Sequence, residues 1–338
     1  MNMTDTTTEL QQTINDMVDD SRGILAMDES APTIAKRFAA INLESTEENR
    51  RHYRSLLLST PDLGRYISGV ILFEETLGQK NNEGTPLTAL ASQQGIVPGI
   101  KVDKGKGPLP GAPGDSITYG LDGLAKRLEG YKAQGARFAK WREVYAISNT
   151  NPTELGLHAN AEMLARYAAV CQEMGIVPIV EPEVLMDGPH DIDQCAAASE
   201  KVLHAVFHAL HQHNVTLELM ILKPNMIVPG IDCRTADPEE VASATLKVLR
   251  RTVPAAVPSI NFLSGGQSPV EATQNLSAIN LLKANAPWQL SISYGRALQQ
   301  PALQAWQGKA ENDAITQQAL LNRAKLNSQA RQGKYVGE

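Results

Sequence analysis

In the stretch "ILKPNM", residues 221–226, a lysine closes a greasy run and a proline follows it directly. The run before it, "LELMIL", reads as a buried strand, where an amine is costly to desolvate. Lys223 therefore has one of two jobs. A buried amine near other cations loses its proton more easily, because desolvation and like charge both disfavour the ammonium. Lys140 could supply that charge, and the neutral amine would attack a carbonyl to give a Schiff base. Alternatively, Lys223 pairs with Glu181 or Glu183 as a buried salt bridge.

Other apolar runs end in the same kind of residue. Asp28 and Glu29 follow "GILAM", and Lys101 and Asp103 close "GIVPGIKV". Lys140 and Arg142 lie in "FAKWR", Glu181 and Glu183 in "GIVPIVEPE". Ser264 follows "SINFL", and Arg296 comes soon after "WQLSIS". Residues two apart on a strand share a face, so Lys140 and Arg142 can both point inward, as can Lys101 and Asp103. Any one of these residues alone could be an inert, solvated loop residue. Lysines, arginines and carboxylates recurring at equivalent strand ends read instead as one mouth. Two loops suit phosphate. "LSGGQSP" offers paired glycines and hydroxyls, and "SYGRAL" opens a helix whose free N–H groups would face an anion. Arg296 would add a charge-assisted contact.

The elements that must position these residues are legible as eight short apolar runs: "GILAM", "ISGVILF", "GIVPGIKV", "ARFAKW", "GIVPIVE", "LELMIL", "SINFL" and "WQLSIS". They are apolar throughout, as strands buried on both faces are. Between most of them lie helical patterns. "GLDGLAKRLEGYKAQG" and "TELGLHANAEMLARYAAVCQEMG" end at glycine, and "DPEEVASATLKVLRRTVP" opens on acid and proline. Strands alternating with helices predict an α/β fold, a (β/α)8 barrel whose active site lies at the C-terminal strand ends. A doubly wound open sheet would carry a glycine-rich fingerprint after its first strand, which "AMDESAPT" lacks. With no low-complexity linker, residues 1–338 are expected to form a single domain, with extra helices before the first strand and after the last.

Composition narrows the function. The 338 residues are 42% hydrophobic and 20% charged, ordinary for a globular protein. A net charge of −6 argues against nucleic acid or an anionic membrane as partner, and means that an anionic substrate must find a local cluster of cations. No apolar stretch approaches the roughly 20 residues of a membrane span. The N-terminal stretch is polar and acidic, without a signal peptide's apolar core. Cys171, Cys195 and Cys233 form no CxxC pair, so neither a disulfide framework nor a zinc knuckle is suggested. A reducing cytoplasm is the expected setting. "HAVFHALHQH" sets His204, His208 and His211 on one helix face at chelating spacing, but without a carboxylate in register it reads as a solvated stripe.

Eight motifs in order, "GILAMDES", "GVILFEETL", "GIKVDKG", "FAKWR", "GIVPIVEPE", "ILKPNM", "FLSGGQS" and "SYGRAL", resemble class I fructose-bisphosphate aldolase from about residue 20 to the closing "GKYVGE". The resemblance implies a metal-independent, cofactor-free enzyme acting on sugar phosphates, and a homo-oligomer, a tetramer by family expectation. It implies Lys223 as the Schiff-base lysine, Glu181 as the acid/base that dehydrates the carbinolamine, and Asp28 as the carboxylate that takes the carbon 4 hydroxyl proton. Lys140 would balance charge beside them and Glu183 would orient its neighbours. Ser264, Gly265, Gly295 and Arg296 would hold the carbon 1 phosphate. Lys101 and Arg142, with Ser30 and Thr33, would face the carbon 6 phosphate. Two departures stand out. Ala31 and Pro32 replace the Thr-Gly pair of animal relatives, and Thr33 replaces their serine. The sequence stops at "GKYVGE", short of the terminal tyrosine that moves protons at carbon 3 in the animal enzymes. Tyr335 is not that residue, so another group or water is expected to serve, and the short tail suggests a bacterial or plant-like relative. Within enzymes the alternative is another Schiff-base barrel lyase such as a transaldolase, which would not need both phosphate clusters. Outside enzymes it is a non-catalytic barrel scaffold.

Overall fold

The computed structural model describes residues 3–338. Its strands are β1 (Gly23–Met27), β2 (Ile67–Leu72), β3 (Val97–Lys101), β4 (Lys106–Pro108), β5 (Ser116–Thr118), β6 (Phe138–Tyr145), β7 (Val177–Val184), β8 (Ile221–Leu222), β9 (Ser259–Phe262) and β10 (Gln289–Tyr294). Eight of them close a parallel barrel in the order β1-β10-β9-β8-β7-β6-β3-β2, and these are the eight apolar runs of the sequence. β4 and β5 form a separate antiparallel hairpin. The helices are α1 (Met3–Met17), α2 (Ala31–Ala39), α3 (Glu47–Leu58), α4 (Glu74–Leu77), α5 (Leu87–Gln93), α6 (Leu124–Ala133), α7 (Glu154–Glu173), α8 (Ile192–Gln212), α9 (Pro238–Thr252), α10 (Pro269–Leu282), α11 (Arg296–Trp306) and α12 (Asp313–Arg331). α1 precedes the first strand and α12 follows the last barrel helix.

Local chemistry sets several helix starts. The Asp237 side chain accepts from the Glu240 N–H, and Pro238 occupies the first turn of α9, where no backbone donor is needed. Ser268 and Glu271 form a reciprocal capping box on α10. One strand is shorter than its apolar run suggests. Of "LELMIL", only Ile221–Leu222 is strand, and Leu217–Leu219 is a 3-10 turn. The turn directs Leu219 onto α1 residues at the foot of the barrel, so its apolar character serves burial without extending the ladder. The ladder does continue one residue further on, where the Lys223 N–H donates to the Val180 carbonyl at 2.8 Å.

The barrel interior divides into two zones. At the N-terminal end Ile24, Ile71, Val97, Phe138, Val177, Ile179 and Ile221 pack together under Leu10, Ile14 and Met17 of α1, which plugs that end. Gly99 makes room there, since a Cβ at that position would lie 2.3 Å from the Phe138 ring. The C-terminal half is polar. A larger apolar core fills the space between strands and outer helices, with Leu25, Ala139, Trp141, Val180 and Leu222 on the outward faces.

Candidate active site

Strand alternation carries apolar side chains inward at the bottom of the barrel, and β3, β6, β7 and the ends of β1 and β8 bring charged ones inward at the top. Those charged ends surround a cleft of about 310 Å³. Every residue given a catalytic or substrate-binding role from the sequence lines it: Asp28, Ser30, Thr33, Lys101, Lys140, Arg142, Glu181, Glu183, Lys223, Ser264, Gly265, Gly295 and Arg296.

At its floor two amines and two carboxylates interlock. The Lys223 ammonium lies 3.1 Å from Glu181 Oε1, and Lys140 Nζ lies 3.2 Å from Glu181 Oε2 and 2.8 Å from Asp28 Oδ2. Lys223, Lys140 and Glu181 are each 4% exposed. Burial works to raise the Glu181 carboxyl, but Lys140 and Lys223 outweigh it and hold the group below the ordinary glutamate value. Burial likewise opposes ionisation of Asp28, and Lys140 followed by Lys223 brings it far below the usual carboxylate range. Lys140 is driven the other way. Burial disfavours its charge, yet Asp28 and Glu181 raise it well above an ordinary lysine. Lys140 is therefore a fixed cation shared by two carboxylates, and the salt bridge foreseen for Lys223 is present on Glu181. The pairing leaves a carboxylate oxygen 3.1 Å from the amine, within reach of its proton.

Around this floor the rim is cationic. Arg142 Nη1 lies 2.8 Å from Glu183 Oε2. Burial raises the Glu183 carboxyl, and the arginine only partly offsets it. Lys101 Nζ lies 3.3 Å from Asp103 Oδ1 and over the Phe73 ring. Ser30 Oγ and Thr33 Oγ1 are 3.1 Å apart at the start of α2. On the β9–β10 side of the cleft, the Arg296 guanidinium donates to the Gly265 carbonyl. Gly265 adopts φ +55°, a conformation that favours glycine. Gly295 precedes the first turn of α11.

Sequence reasoning passed over Arg37, which lines the cleft and pairs with Glu29. Its signal was helical spacing, since it stands one turn beyond Thr33 on α2. Glu29 is in turn held by Gln299 Nε2 at 2.7 Å, and its carbonyl accepts from Arg54 at 2.7 Å. Lys106 and Thr118 of the hairpin also reach the cleft. His204, His208 and His211 are exposed on α8 and none lines it. Among the described residues no group of three or more histidine, cysteine or acidic side chains is arranged to hold a metal ion.

Such a barrel, with lysines and carboxylates at the C-terminal strand ends inside a ring of cations, defines a barrel lyase for an anionic substrate. The chain belongs to the class-I fructose-bisphosphate aldolase family, whose profile matches residues 9–338. It is 55% identical over 317 residues to cytosolic fructose-bisphosphate aldolase 6 of Arabidopsis thaliana, covering 94% of this chain and 88% of the relative. The cytoplasmic isozyme of Spinacia oleracea is 56% identical, with 93% and 88% covered. Fructose-bisphosphate aldolase 2 of Caenorhabditis elegans is 53% identical, with 98% and 90% covered. A solved structure of fructose-bisphosphate aldolase from Plasmodium falciparum, in complex with TRAP and a small-molecule inhibitor, superimposes with a TM-score of 0.97 at 51% identity, covering 99% of this chain and 97% of that one. The cytosolic and cytoplasmic relatives agree with the cytoplasmic setting expected from the sequence, and no described helix is long and apolar enough to cross a membrane.

Proposed function

We propose that this chain cleaves fructose 1,6-bisphosphate reversibly through a Schiff base on Lys223, and that residues 1–338 act as a single domain. The reading is carried by Glu181, whose two oxygens stand between Lys223 and Lys140. The Lys223 amine adds to carbon 2, and the resulting carbinolamine loses its hydroxyl as water with a proton supplied by Glu181. The iminium is an electron sink. Asp28 removes the carbon 4 hydroxyl proton, and the bond between carbons 3 and 4 breaks. Its electron pair passes to the iminium nitrogen as an enamine, and glyceraldehyde 3-phosphate leaves. Protonation at carbon 3 and hydrolysis release dihydroxyacetone phosphate and return the amine. Lys140 stays charged throughout, so Glu181 starts ionised, takes the Lys223 proton and returns it to the carbinolamine, and Asp28 starts ionised and ready to take the carbon 4 proton. Ser264, Gly265, Gly295 and Arg296 hold the carbon 1 phosphate. Lys101, Arg142, Ser30 and Thr33 face the carbon 6 phosphate. The protein assembles as a homo-oligomer, a tetramer by family expectation.

Borohydride added with dihydroxyacetone phosphate tests the central step. It should inactivate the enzyme and add the reduced triose to the peptide containing Lys223. Label on another lysine, or full activity in Lys223→Ala, would overturn the assignment.

A further inference from the structure

Most charged side chains in the cleft are already neutralised by a neighbour. Lys223 pairs with Glu181, Lys140 with Asp28, Lys101 with Asp103, Arg142 with Glu183 and Arg37 with Glu29. Two cations remain without a carboxylate partner among the described residues: Arg296 and Lys106. They belong to opposite sides of the mouth. Arg296 follows β10 and touches the β9 loop, while Lys106 lies in the excursion between β3 and β6. In the barrel order the β9–β10 pair stands across from the β6–β3 pair.

Lys106 is held there by a built scaffold. It pairs across the hairpin with Thr118, so both side chains project from one face, and both line the cleft. Among the described residues Lys106 Nζ makes one hydrogen bond, donated to the Ser116 hydroxyl at 3.3 Å. The base of the hairpin is closed by the Lys104 N–H to Tyr119 and the Tyr119 N–H to Gly105, each at 2.8 Å. Thr118 then fastens the hairpin to β6. Its hydroxyl donates to the Arg142 carbonyl at 2.8 Å, and its N–H donates to Glu143 Oε2 at 3.1 Å. Glu143 is fully buried and accepts a second bond from Trp141 Nε1 at 2.9 Å.

We propose that Lys106 is a specificity-determining residue that supplies the free positive charge for the second phosphate of a bisphosphate substrate, and that Glu143 is its positioning residue. A substrate with two phosphates meets one uncompensated cation at each end of the cleft. A monophosphate ester needs only the Arg296 end. Lys106 thus sets preference between substrates and takes no part in bond cleavage.

This inference rests on the orientation given under Proposed function, and the test separates the two. The readout is kcat/KM for fructose 1,6-bisphosphate and for fructose 1-phosphate in Lys106→Met, Lys106→Arg, Glu143→Gln, the double variant and Lys101→Met. Lys106→Met should lower the bisphosphate value about tenfold, mostly through KM, and change the monophosphate value by less than about twofold. Lys106→Arg should restore most of the loss. Glu143→Gln should shift preference in the same direction with Lys106 intact. The double variant should be little worse than Lys106→Met alone, as coupled residues require. Equal losses on both substrates in Lys106→Met, or none, would overturn the inference while selective loss in Lys101→Met leaves the orientation standing. A Lys101→Met variant without that selectivity takes the orientation down and the inference with it.

Discussion

The two faces of β6 treat charge in opposite ways. Inward, Lys140 and Arg142 lie among Asp28, Glu181 and Glu183, so every buried charge has an opposite charge within about hydrogen-bonding reach. Outward, Trp141, Glu143 and Tyr145 pack under the hairpin and α7, with Trp141 against the Tyr167 ring. Among the described residues no lysine or arginine pairs with Glu143, which accepts from two N–H donors. Burial, with a smaller push from the Asp103 charge, therefore carries the Glu143 carboxyl up to about 7, while the buried Glu181 is held down. Three positions separate Lys140 from Glu143, yet the direction of the pKa shift is decided by what stands opposite each face. Residue type and burial do not predict ionisation without the partner.

Removing the shared cation should break the inner face most severely. Lys140→Met leaves Asp28 and Glu181 buried with one amine between them. Breaking a buried pair typically costs about 3–5 kcal/mol. Cleavage should fall by about a thousandfold or more as proton transfer is lost. Thermal unfolding and steady-state rates check both, and a variant of near-normal activity would show that Lys140 is not what keeps the carboxylates ionised.

The outer face is tested by pH. The Glu143 carboxyl lies near 7 when folded and near its ordinary 4.5 when unfolded. Between those values the folded protein holds more protons, so stability falls as pH rises. Its contribution is complete below about 4.5 and has been lost once pH passes about 7. Relative to Glu143→Gln, the parent protein should lose about 3 kcal/mol across that window. Denaturant midpoints at several pH values measure it, and parallel curves would contradict a neutral buried acid. Asp28 and Glu181 bear on stability in the opposite sense and only at more acidic pH, since their folded values are depressed.

The contrast can be extended to the two ends of the cleft. Arg296→Ala should weaken use of fructose 1,6-bisphosphate and fructose 1-phosphate by a similar factor, about tenfold to hundredfold for a lost charge-assisted contact. Lys101→Ala should harm the bisphosphate far more. The reverse pattern would turn the sugar around in the barrel. The smallest expected effect concerns metal. Because an iminium takes up the electron pair, dialysis against EDTA should leave the cleavage rate unchanged. A large loss restored by zinc would redirect attention to the stripe of His204, His208 and His211.

How much of this was legible follows from how each feature is made. The strand ends were readable because each run is apolar with charge at one end, so Lys101, Lys140, Glu181 and Lys223 announced themselves. Arg37 was hidden because its signal is helical spacing across a strand–helix boundary. Glu143 was hidden because a glutamate beside an arginine in sequence looks solvated, and only the strand's alternation sends it into the apolar layer. "LELMIL" looked like a full strand because a buried 3-10 turn and a buried strand share the same apolar composition.

By itself the sequence determined the barrel, the place of its eight strands in the chain and most of the charged residues that line the cleft. The reason is geometric. A closed parallel barrel gathers all its C-terminal strand ends at one mouth, so knowing where runs end is knowing what converges. Tertiary structure alone decided which amine faces which carboxylate, which cations stay uncompensated and which acid is buried without a partner. Those depend on register and on where the β4–β5 hairpin lands. A distance of 3 Å between residues far apart in the chain is written in no local pattern.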